Sequence, residues 1–201
     1  MAFFHTQKDT QRTGEGSSCL EYLHDVVYIL ALILVVFTFC MRVVIVSGSS
    51  MFSTLVDGDY LLLINRPLCG ELERGDIVVA SMDRFKDGEP IVKRVIATEG
   101  QEVDIDFRLG VVYVDGVALE EDYIYAPTHL SEGMEFPLMV EEGCLFLMGD
   151  NRMDSRDSRA PEIGLVDERE ILGRAVFLLV PGTGRGEYTV EADFGRIGGL
   201  N

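Results

Sequence analysis

An uncharged segment near the start of the chain constrains its fold most. No charge occurs at residues 26–41, and continuing through Arg42 to Val46 gives about 21 residues. A helix of that length is about 31 Å long at ~1.5 Å per residue, which matches the hydrocarbon core of a bilayer. Arg42 lies near one end, where its side chain can reach the headgroups. The segment therefore predicts a transmembrane anchor at residues 26–46.

A cleaved signal peptide and a buried core helix are the alternatives. A signal peptide normally has a short basic leader and an apolar run of about 7–15 residues. The leader here is long and carries acidic residues, among them Glu15, Glu21 and Asp25. These features favour an uncleaved anchor. Only Lys8 and Arg12 supply positive charge before the helix, so charge leaves its orientation nearly undecided.

Composition limits the class of partner. With 201 residues, 47% of them apolar, the chain has enough material for one ordinary domain beside the anchor. The formal charge of −17 argues against nucleic acid, because phosphate binding needs a basic face. The same charge should repel anionic lipid headgroups, so docking through a basic patch is not expected.

Residues after Leu55 are typical of β-strands. Short runs of β-branched and aromatic residues alternate with Gly, Asp and Pro. The predicted strands are residues 60–64, 77–80, 91–97, 101–105, 111–114, 144–148 and 175–180. Asp115-Gly116 predicts a type I′ hairpin, since both central residues of that turn need positive φ. The fold class is therefore mainly β after an N-terminal transmembrane helix.

The remaining segments carry weaker signals. Residues 1–25 are predicted to be a polar tail, residues 47–181 a β-rich domain, and residues 182–201 a Gly-rich tail that frays. Residues 161–171 are expected to hold a short helical turn at most. The sequence contains no P-loop and no dinucleotide fingerprint, so no nucleotide partner or cofactor is expected.

The four cysteines do not suggest a metal site. Cys19, Cys40, Cys69 and Cys144 form no C-x-x-C pair and have no ligand spacing, so zinc is not expected. If the anchor spans the membrane, only Cys69 and Cys144 share a compartment that oxidises thiols. The sequence does not decide whether these two meet.

A serine-rich stretch begins where the apolar segment ends. Ser47-Gly48-Ser49-Ser50 is either a flexible turn or the setting of a nucleophile, Ser50, close to a membrane. A Ser-His-Asp hydrolase also needs a histidine. His5 and His24 precede the anchor and so lie across the membrane from Ser50, and His129 stands in a segment with no other catalytic signal. A nucleophilic Ser50 would therefore need a base other than histidine.

Lys93 is the candidate base. It lies in the apolar run Ile91-Val92-Lys93-Arg94-Val95-Ile96, where a period of two places Lys93 and Arg94 on opposite faces of a strand. One interpretation is an edge strand with charged residues that block aggregation. The other is a partly buried lysine whose pKa falls through desolvation, so that the neutral amine acts as a base.

Residues 149–159 alternate acidic and basic side chains. The oxygen ligands at Asp150, Asn151, Asp154 and Asp157 suggest calcium, but three interleaved arginines and the absence of an EF-hand spacing argue against a metal. The pattern favours a loop whose charges pair with one another to fix the backbone.

Four segments together resemble bacterial type I signal peptidases. They are Gly48-Ser49-Ser50-Met51-Phe52-Ser53-Thr54-Leu55, Gly75-Asp76-Ile77-Val78-Val79, Lys93-Arg94-Val95-Ile96, and Gly149-Asp150-Asn151-Arg152 with Ser155-Arg156-Asp157-Ser158-Arg159. The resemblance extends from the anchor to about residue 180, and its last segment is the most specific. It implies a partly barrel-like, extracytoplasmic catalytic domain on a single-pass anchor in the cytoplasmic membrane, with residues 1–25 in the cytoplasm. The activity it implies is removal of signal peptides from preproteins, without a cofactor.

The resemblance also implies roles for individual residues. Ser50 would be the nucleophile, Lys93 the general base, and Ser155 the hydroxyl that orients the lysine amine. Asp157 and Arg159 would form a structural ion pair beside the site. Small side chains before the cut would fit pockets walled by Val46, Met51, Leu55, Ile91 and Val92.

This sequence departs from the family pattern at several positions. Where some members have a serine hydroxyl in the oxyanion hole, this chain has Gly48, so a backbone group, a water or Ser49 would have to replace that donor. Ser53 stands at a position where proline is the commonest residue in the family. The turn after the lysine strand differs from the family pattern at Ala97, Glu99 and Gln101. Two alternatives stay open: a non-catalytic membrane-anchored β-domain, and a peptidase with the same dyad and a narrow substrate set.

Overall fold

The computed structural model describes residues 13–200, with side chains from Leu20 onward. The described chain divides into two compact units, with the boundary between Cys40 and Met41. The first unit contains one helix, α1, at Thr13–Phe39. Its segment Leu20–Phe39 is exposed and has a mean hydropathy of 2.1, and it is long and apolar enough to cross a membrane.

The predicted limits of the anchor need correction. The helix begins at Thr13, inside the predicted polar tail, and ends at Phe39 instead of Val46. Residues Met41–Ile45 form a β-strand that pairs with a neighbouring strand. They include Val43, Val44 and Ile45, and β-branched residues stabilise a strand when a partner is present.

The second unit is built from twelve strands. They are β1 Met41–Ile45, β2 Tyr60–Asn65, β3 Ile77–Ala80, β4 Ile91–Ala97, β5 Glu102–Asp106, β6 Val111–Val114, β7 Val117–Ala118, β8 Leu138–Met139, β9 Cys144–Met148, β10 Val166–Asp167, β11 Ile171–Val180 and β12 Gly198–Gly199. Short 3-10 helices lie at Arg66–Leu68, Lys86–Gly88, Glu168–Glu170, Gly186–Tyr188 and Phe194–Arg196. The mainly β class and every predicted strand are confirmed, within a few residues at the ends.

The strands form two antiparallel sheets. The larger has the order β1-β2-β11-β3-β4-β9-β10, with β12 on β11, and the smaller has the order β7-β6-β5-β8. Irregular register within β11 and β4 marks β-bulges, which bend the long sheet into a half-barrel. Asp115 and Gly116 have φ of 52° and 74°, which confirms the predicted hairpin between β6 and β7.

Three clusters of buried apolar side chains hold the sheets together. One lies along β1, β2, β3 and β11, and it includes Met51 and Leu55 from the turn after β1. A second packs under β3, β4 and β9, and a third joins β4 and β9 to the smaller sheet. Strand β4 therefore has apolar contacts on both faces, and both of its charged residues, Lys93 and Arg94, are buried.

The C-terminal segment is fixed to the sheet instead of fraying. The backbone N–H of Gly182 donates to Asp59 at 2.6 Å, and Arg196 donates to the same carboxylate at 2.7 Å. Strand β12 adds pairing with β11. The Gly-rich composition suggested a loose tail, but Asp59, which is fully buried, needs these donors because an unpaired buried charge is costly.

Gly182 should be intolerant of any side chain. A Cβ there would lie 2.4 Å from the carbonyl oxygen of Asp57 and 2.5 Å from the carbonyl carbon of Gly58. We expect Gly182→Ala to lower the free energy of unfolding by about 2 kcal/mol, because backbone must move. Gly198→Ala, whose Cβ meets nothing within 4 Å, is the control. Equal denaturation midpoints for the two variants would contradict the close approach.

Candidate active site

Ser50 lies on a turn that follows directly from β1. Backbone hydrogen bonds tie Val46, the residue after β1, to Gly58 and Asp59 and so close the base of this turn. Gly48 has a φ of 94°, a conformation that glycine adopts without strain. Met51 is buried in the core on the other side of the turn. Ser50 is thus held at the surface by a turn that is anchored at both ends.

Lys93 meets Ser50 across the sheet. Its Nζ donates to Ser50 Oγ at 2.7 Å and to the carbonyl oxygen of Val92 at 3.1 Å. Lys93 is only 3% exposed. Strand β4 lies between β3 and β9 from Arg94 onward. The interpretation of this segment as an edge strand is therefore wrong at Arg94 and beyond.

Burial controls the protonation of this lysine. Desolvation lowers the pKa of Lys93 to about 8, against an opposing effect of the Asp157 carboxylate, which raises it. The positive charge of Lys86 also contributes to this lowered pKa. With a pKa near 8, roughly one amine in ten is neutral at pH 7. A neutral amine at this distance can accept the proton of the serine hydroxyl.

The loop at residues 149–159 contacts the serine turn through its backbone. The N–H of Asn151 donates to the carbonyl oxygen of Ser50 at 3.0 Å, and the Asn151 side chain donates to that of Ser49 at 3.2 Å. A Cβ on Gly149 would lie 2.4 Å from the Ser50 oxygen and 2.2 Å from Ser155 Oγ. Glycine at position 149 is what lets the two segments come this close.

Asp157 and Arg159 form the ion pair that the resemblance implies. Both are fully buried, and Arg159 donates from Nε and Nη2 at 2.8 Å to each carboxylate oxygen. Burial opposes ionisation of Asp157, but the hydrogen bonds and charge of Arg159 hold its pKa below the ordinary value. Ser155 Oγ donates to the same carboxylate at 2.8 Å. Among the described residues, Ser155 makes no hydrogen bond to the Lys93 amine. It donates instead to Asp157, whose charge acts on that amine.

Arg94 and Asp150 link the strand of the lysine to the turn of the serine. Arg94 donates from Nε and Nη2 to the two oxygens of Asp150 at 2.8 and 2.7 Å. Asp150 also accepts from Thr54 Oγ1, four residues after Ser50 in the chain. Sequence reasoning missed Thr54 and the partner of Arg94. The sequence did show that Arg94 and Asp150 are opposite charges in apolar surroundings. Only the fold shows that these two side chains meet.

The backbone N–H of Ser50 is the available oxyanion donor. It makes no hydrogen bond within the part of the chain that the structure describes. Two candidate substitutes for the missing hydroxyl are occupied: the N–H of Gly48 donates to Asp57 at 2.8 Å, and Ser49 Oγ donates to Asp154 at 2.6 Å. The N–H of Ser50 is therefore a candidate donor to a negative oxygen that forms beside this residue.

An open cleft of about 680 Å³ leads to Ser50 and Lys93. Five of the residues predicted for substrate binding line it, namely Val46, Gly48, Met51, Ile91 and Val92. Leu55 does not; its side chain is fully buried in the core beneath the turn, so its predicted place in a pocket wall is wrong. Leu55 instead supports the turn from below.

The other predicted features lie away from the cleft. His129 is exposed, and its Nδ1 contacts the carbonyl oxygen of Phe107. His5 lies outside the described residues. Cys69 and Cys144 are free thiols. Among the described residues, no group of three or more histidine, cysteine or acidic side chains is arranged to hold a metal.

The site places a serine hydroxyl, hydrogen-bonded to a buried amine, at the base of an open cleft. Such an arrangement is typical of a serine endopeptidase. The family model described as signal peptidase, peptidase S26, matches residues 19–180. The chain therefore belongs to the signal peptidase S26 family of serine endopeptidases.

Two relatives from Bacillus species support this membership. Signal peptidase I of Bacillus amyloliquefaciens is 34% identical over 185 residues, which cover 88% of this chain and 92% of the relative. Signal peptidase I T of Bacillus subtilis strain 168 is 33% identical over 184 residues, covering 86% and 92%. A crystal structure of a signal peptidase I from Enterococcus faecalis V583 aligns at 29% identity with a TM-score of 0.42, over 52% of this chain and 96% of that one.

The lowered pKa of Lys93 predicts the pH dependence of the reaction. A reaction in which Lys93 acts as the base needs the neutral amine in the free enzyme, so for such a reaction kcat/KM should rise about tenfold per pH unit below pH 8 and level off above it. The measurement is cleavage of a model peptide between pH 6 and 10. A profile that keeps rising to pH 10 would show that the lysine is not shifted as its burial requires.

Proposed function

We propose that the chain is a membrane-anchored endopeptidase that removes N-terminal signal peptides from exported preproteins through a Ser50–Lys93 dyad and an acyl-enzyme. One observation carries the proposal: the Nζ of a lysine that is 3% exposed lies 2.7 Å from Ser50 Oγ. Membership of the signal peptidase family supplies the substrate class.

The first half of the reaction forms the acyl-enzyme. Neutral Lys93 accepts the proton of Ser50 Oγ while the oxygen attacks the scissile carbonyl carbon. The carbonyl oxygen becomes negative and accepts a hydrogen bond from the backbone N–H of Ser50. Collapse of this intermediate breaks the C–N bond, and protonated Lys93 gives its proton to the leaving amine. The signal peptide is then an ester on Ser50, and the mature protein leaves.

The second half returns the enzyme to its starting state. Lys93, neutral again, takes a proton from a water that attacks the ester carbonyl. Collapse of the second intermediate breaks the bond between the acyl carbon and Ser50 Oγ, and Lys93 returns its proton to that oxygen. The signal peptide leaves as a carboxylic acid. Lysine suits both steps because a pKa near 8 lets it give and accept the same proton near neutral pH.

Two free strand edges beside the cleft suit an extended peptide. Within the described residues, strand β1 pairs only with β2, and β9 pairs with β4 only from Arg94 onward. This leaves the edge of β4 at residues 91–93 without a partner strand there. A substrate strand can add its backbone to these edges, which fixes its register at Ser50. Val46 and Val92 would then face its side chains, in pockets that we expect to admit small residues at the first and third positions before the cut.

An apolar surface supports a location against the membrane. Val43, Ile45, Tyr60, Phe177 and Val180 are exposed on three neighbouring strands, β1, β2 and β11. The pairing register places Ile45 opposite Tyr60, and Tyr60 opposite Val180. Lipid can cover such a patch in a protein whose charge of −17 disfavours a basic docking surface. With α1 as the anchor, this catalytic unit would face the extracytoplasmic side, where exported preproteins emerge.

Removing either member of the dyad should abolish processing. We expect Ser50→Ala and Lys93→Ala to lower cleavage of a model preprotein by at least about a thousandfold. Lys93→Arg should fail as well, because a guanidinium keeps its proton near neutral pH. Ser53→Ala, an exposed serine on the same turn, is the control and should cleave normally. Cleavage near the wild-type rate by a folded Ser50→Ala or Lys93→Ala variant would exclude the dyad.

Ser155→Ala should leave partial activity. The hydroxyl acts on Lys93 only through Asp157, so we expect kcat/KM to fall by about tenfold and not to vanish. The full pH profile of this variant reports whether the lysine titration has moved. Wild-type rates at every pH would remove Ser155 from the orienting role.

A further inference from the structure

A second cavity adjoins the catalytic cleft on the far side of the serine turn. Its volume is about 220 Å³. Ser47, Gly48 and Ser49 line both this cavity and the cleft, so these three residues form the ridge that separates the two. We call it the second pocket.

The far wall of the second pocket comes from the C-terminal segment. Arg185 and Tyr188 line it, and both lie beyond residue 180, where the match to the family model ends. The segment is held in place at its start by Gly184, whose N–H donates to the carbonyl oxygen of Asp57, and further along by Arg196. The wall that Arg185 and Tyr188 supply therefore lies outside the family match, while the other lining residues lie within it.

The lining of the second pocket is mixed: its apolar and aromatic side chains are Phe52, Val56 and Tyr188, and its polar ones are Ser47, Ser49, Asp57 and Arg185. The rings of Phe52 and Tyr188 pack with centroids 5.1 Å apart, and Val56 is buried beneath them. The one acidic group, Asp57, is neutralised by Gly48 N–H at 2.8 Å and by Arg185 at 3.3 Å. With its charges paired, the pocket suits an uncharged apolar side chain. Its volume exceeds the ~150 Å³ cavity that holds benzene in other proteins.

The direction of β1 indicates which part of a substrate reaches this pocket. A peptide that runs parallel to residues 44–46 reaches Ser50 with its scissile bond, because β1 itself leads to Ser50. An extended chain that continues in the same direction passes the ridge at Ser47–Ser49. The residues after the cut therefore approach the second pocket, while those before it stay in the cleft.

We propose that the second pocket binds an apolar side chain from one of the first two substrate residues after the scissile bond, and that Tyr188 determines this specificity. The inference rests on the proposed peptidase function. It adds a recognition element on the mature side of the cut, supplied by the C-terminal segment.

The test compares substrates that differ only after the cut. The full-length enzyme in detergent cleaves a model preprotein with glycine or leucine at each of the first two positions, and kcat/KM is measured for each. For the wild type we expect leucine to exceed glycine by about tenfold or more at one position, the effect of burying one such side chain. Tyr188→Ala should reduce this ratio below about threefold.

Two further variants complete the test. Tyr188→Trp keeps a ring against Phe52 but fills the pocket, so it should also reduce the ratio and does not depend on the alanine variant folding. Phe194→Ala removes an exposed ring of the same segment that does not line the pocket, and should retain the wild-type ratio. An unchanged ratio in Tyr188→Trp, or no preference by the wild type at either position, would overturn the pocket while leaving the peptidase intact. No cleavage of any substrate by the wild type would overturn both proposals.

Discussion

The site depends on keeping one amine out of water. Lys93 is almost fully buried, and an ammonium group there has lost most of its hydration. Desolvation is the largest influence on its pKa and brings it to about 8. The sheet supplies this environment, because β4 is covered on both faces at the position where Lys93 meets Ser50.

A buried carboxylate close to that amine would normally keep it protonated. Asp157 raises the pKa of Lys93, but both of its oxygens accept from Arg159, and it also accepts from Ser155 and from the N–H of Gly149. Arg159 offsets the charge of Asp157 and itself lowers the pKa of Lys93. The ion pair thus orders the loop beside the dyad without supplying Lys93 with an unshared counter-ion.

Two other buried ion pairs extend this arrangement. Arg94 pairs with Asp150, and Arg152 pairs with Glu121 while also donating to Thr128. Buried charges stabilise a fold only when their hydrogen-bonding groups are satisfied, and loss of one partner is strongly destabilising. The alternation of acidic and basic residues at 149–159 is therefore a way to fix a loop rigidly against the serine turn.

Much of the fold and part of the site could be predicted from the sequence. Alternating β-branched residues located the longer strands, while β1 was missed because residues 41–45 read as a continuation of the apolar helix. Ser50 and Lys93 were proposed from their chemistry and from the family resemblance, but their contact depends on the pairing of β3 with β4 and on the turn after β1. Leu55 was misplaced because its spacing from Ser50 does not say whether it faces the cleft or the core. The C-terminal segment was misjudged because its anchor, Asp59, is far away in the sequence.

Direct titration of the Lys93 side chain tests the central claim. NMR of the full-length protein in detergent, with carbon-13 at the lysine Cε and Lys93→Arg used to assign the signal, follows the charge of this one amine. The account predicts a midpoint near pH 8, with the amine largely neutral by pH 9. A midpoint at or above 10.5, the ordinary value for lysine, would contradict it, because burial would then not make Lys93 a base near neutral pH.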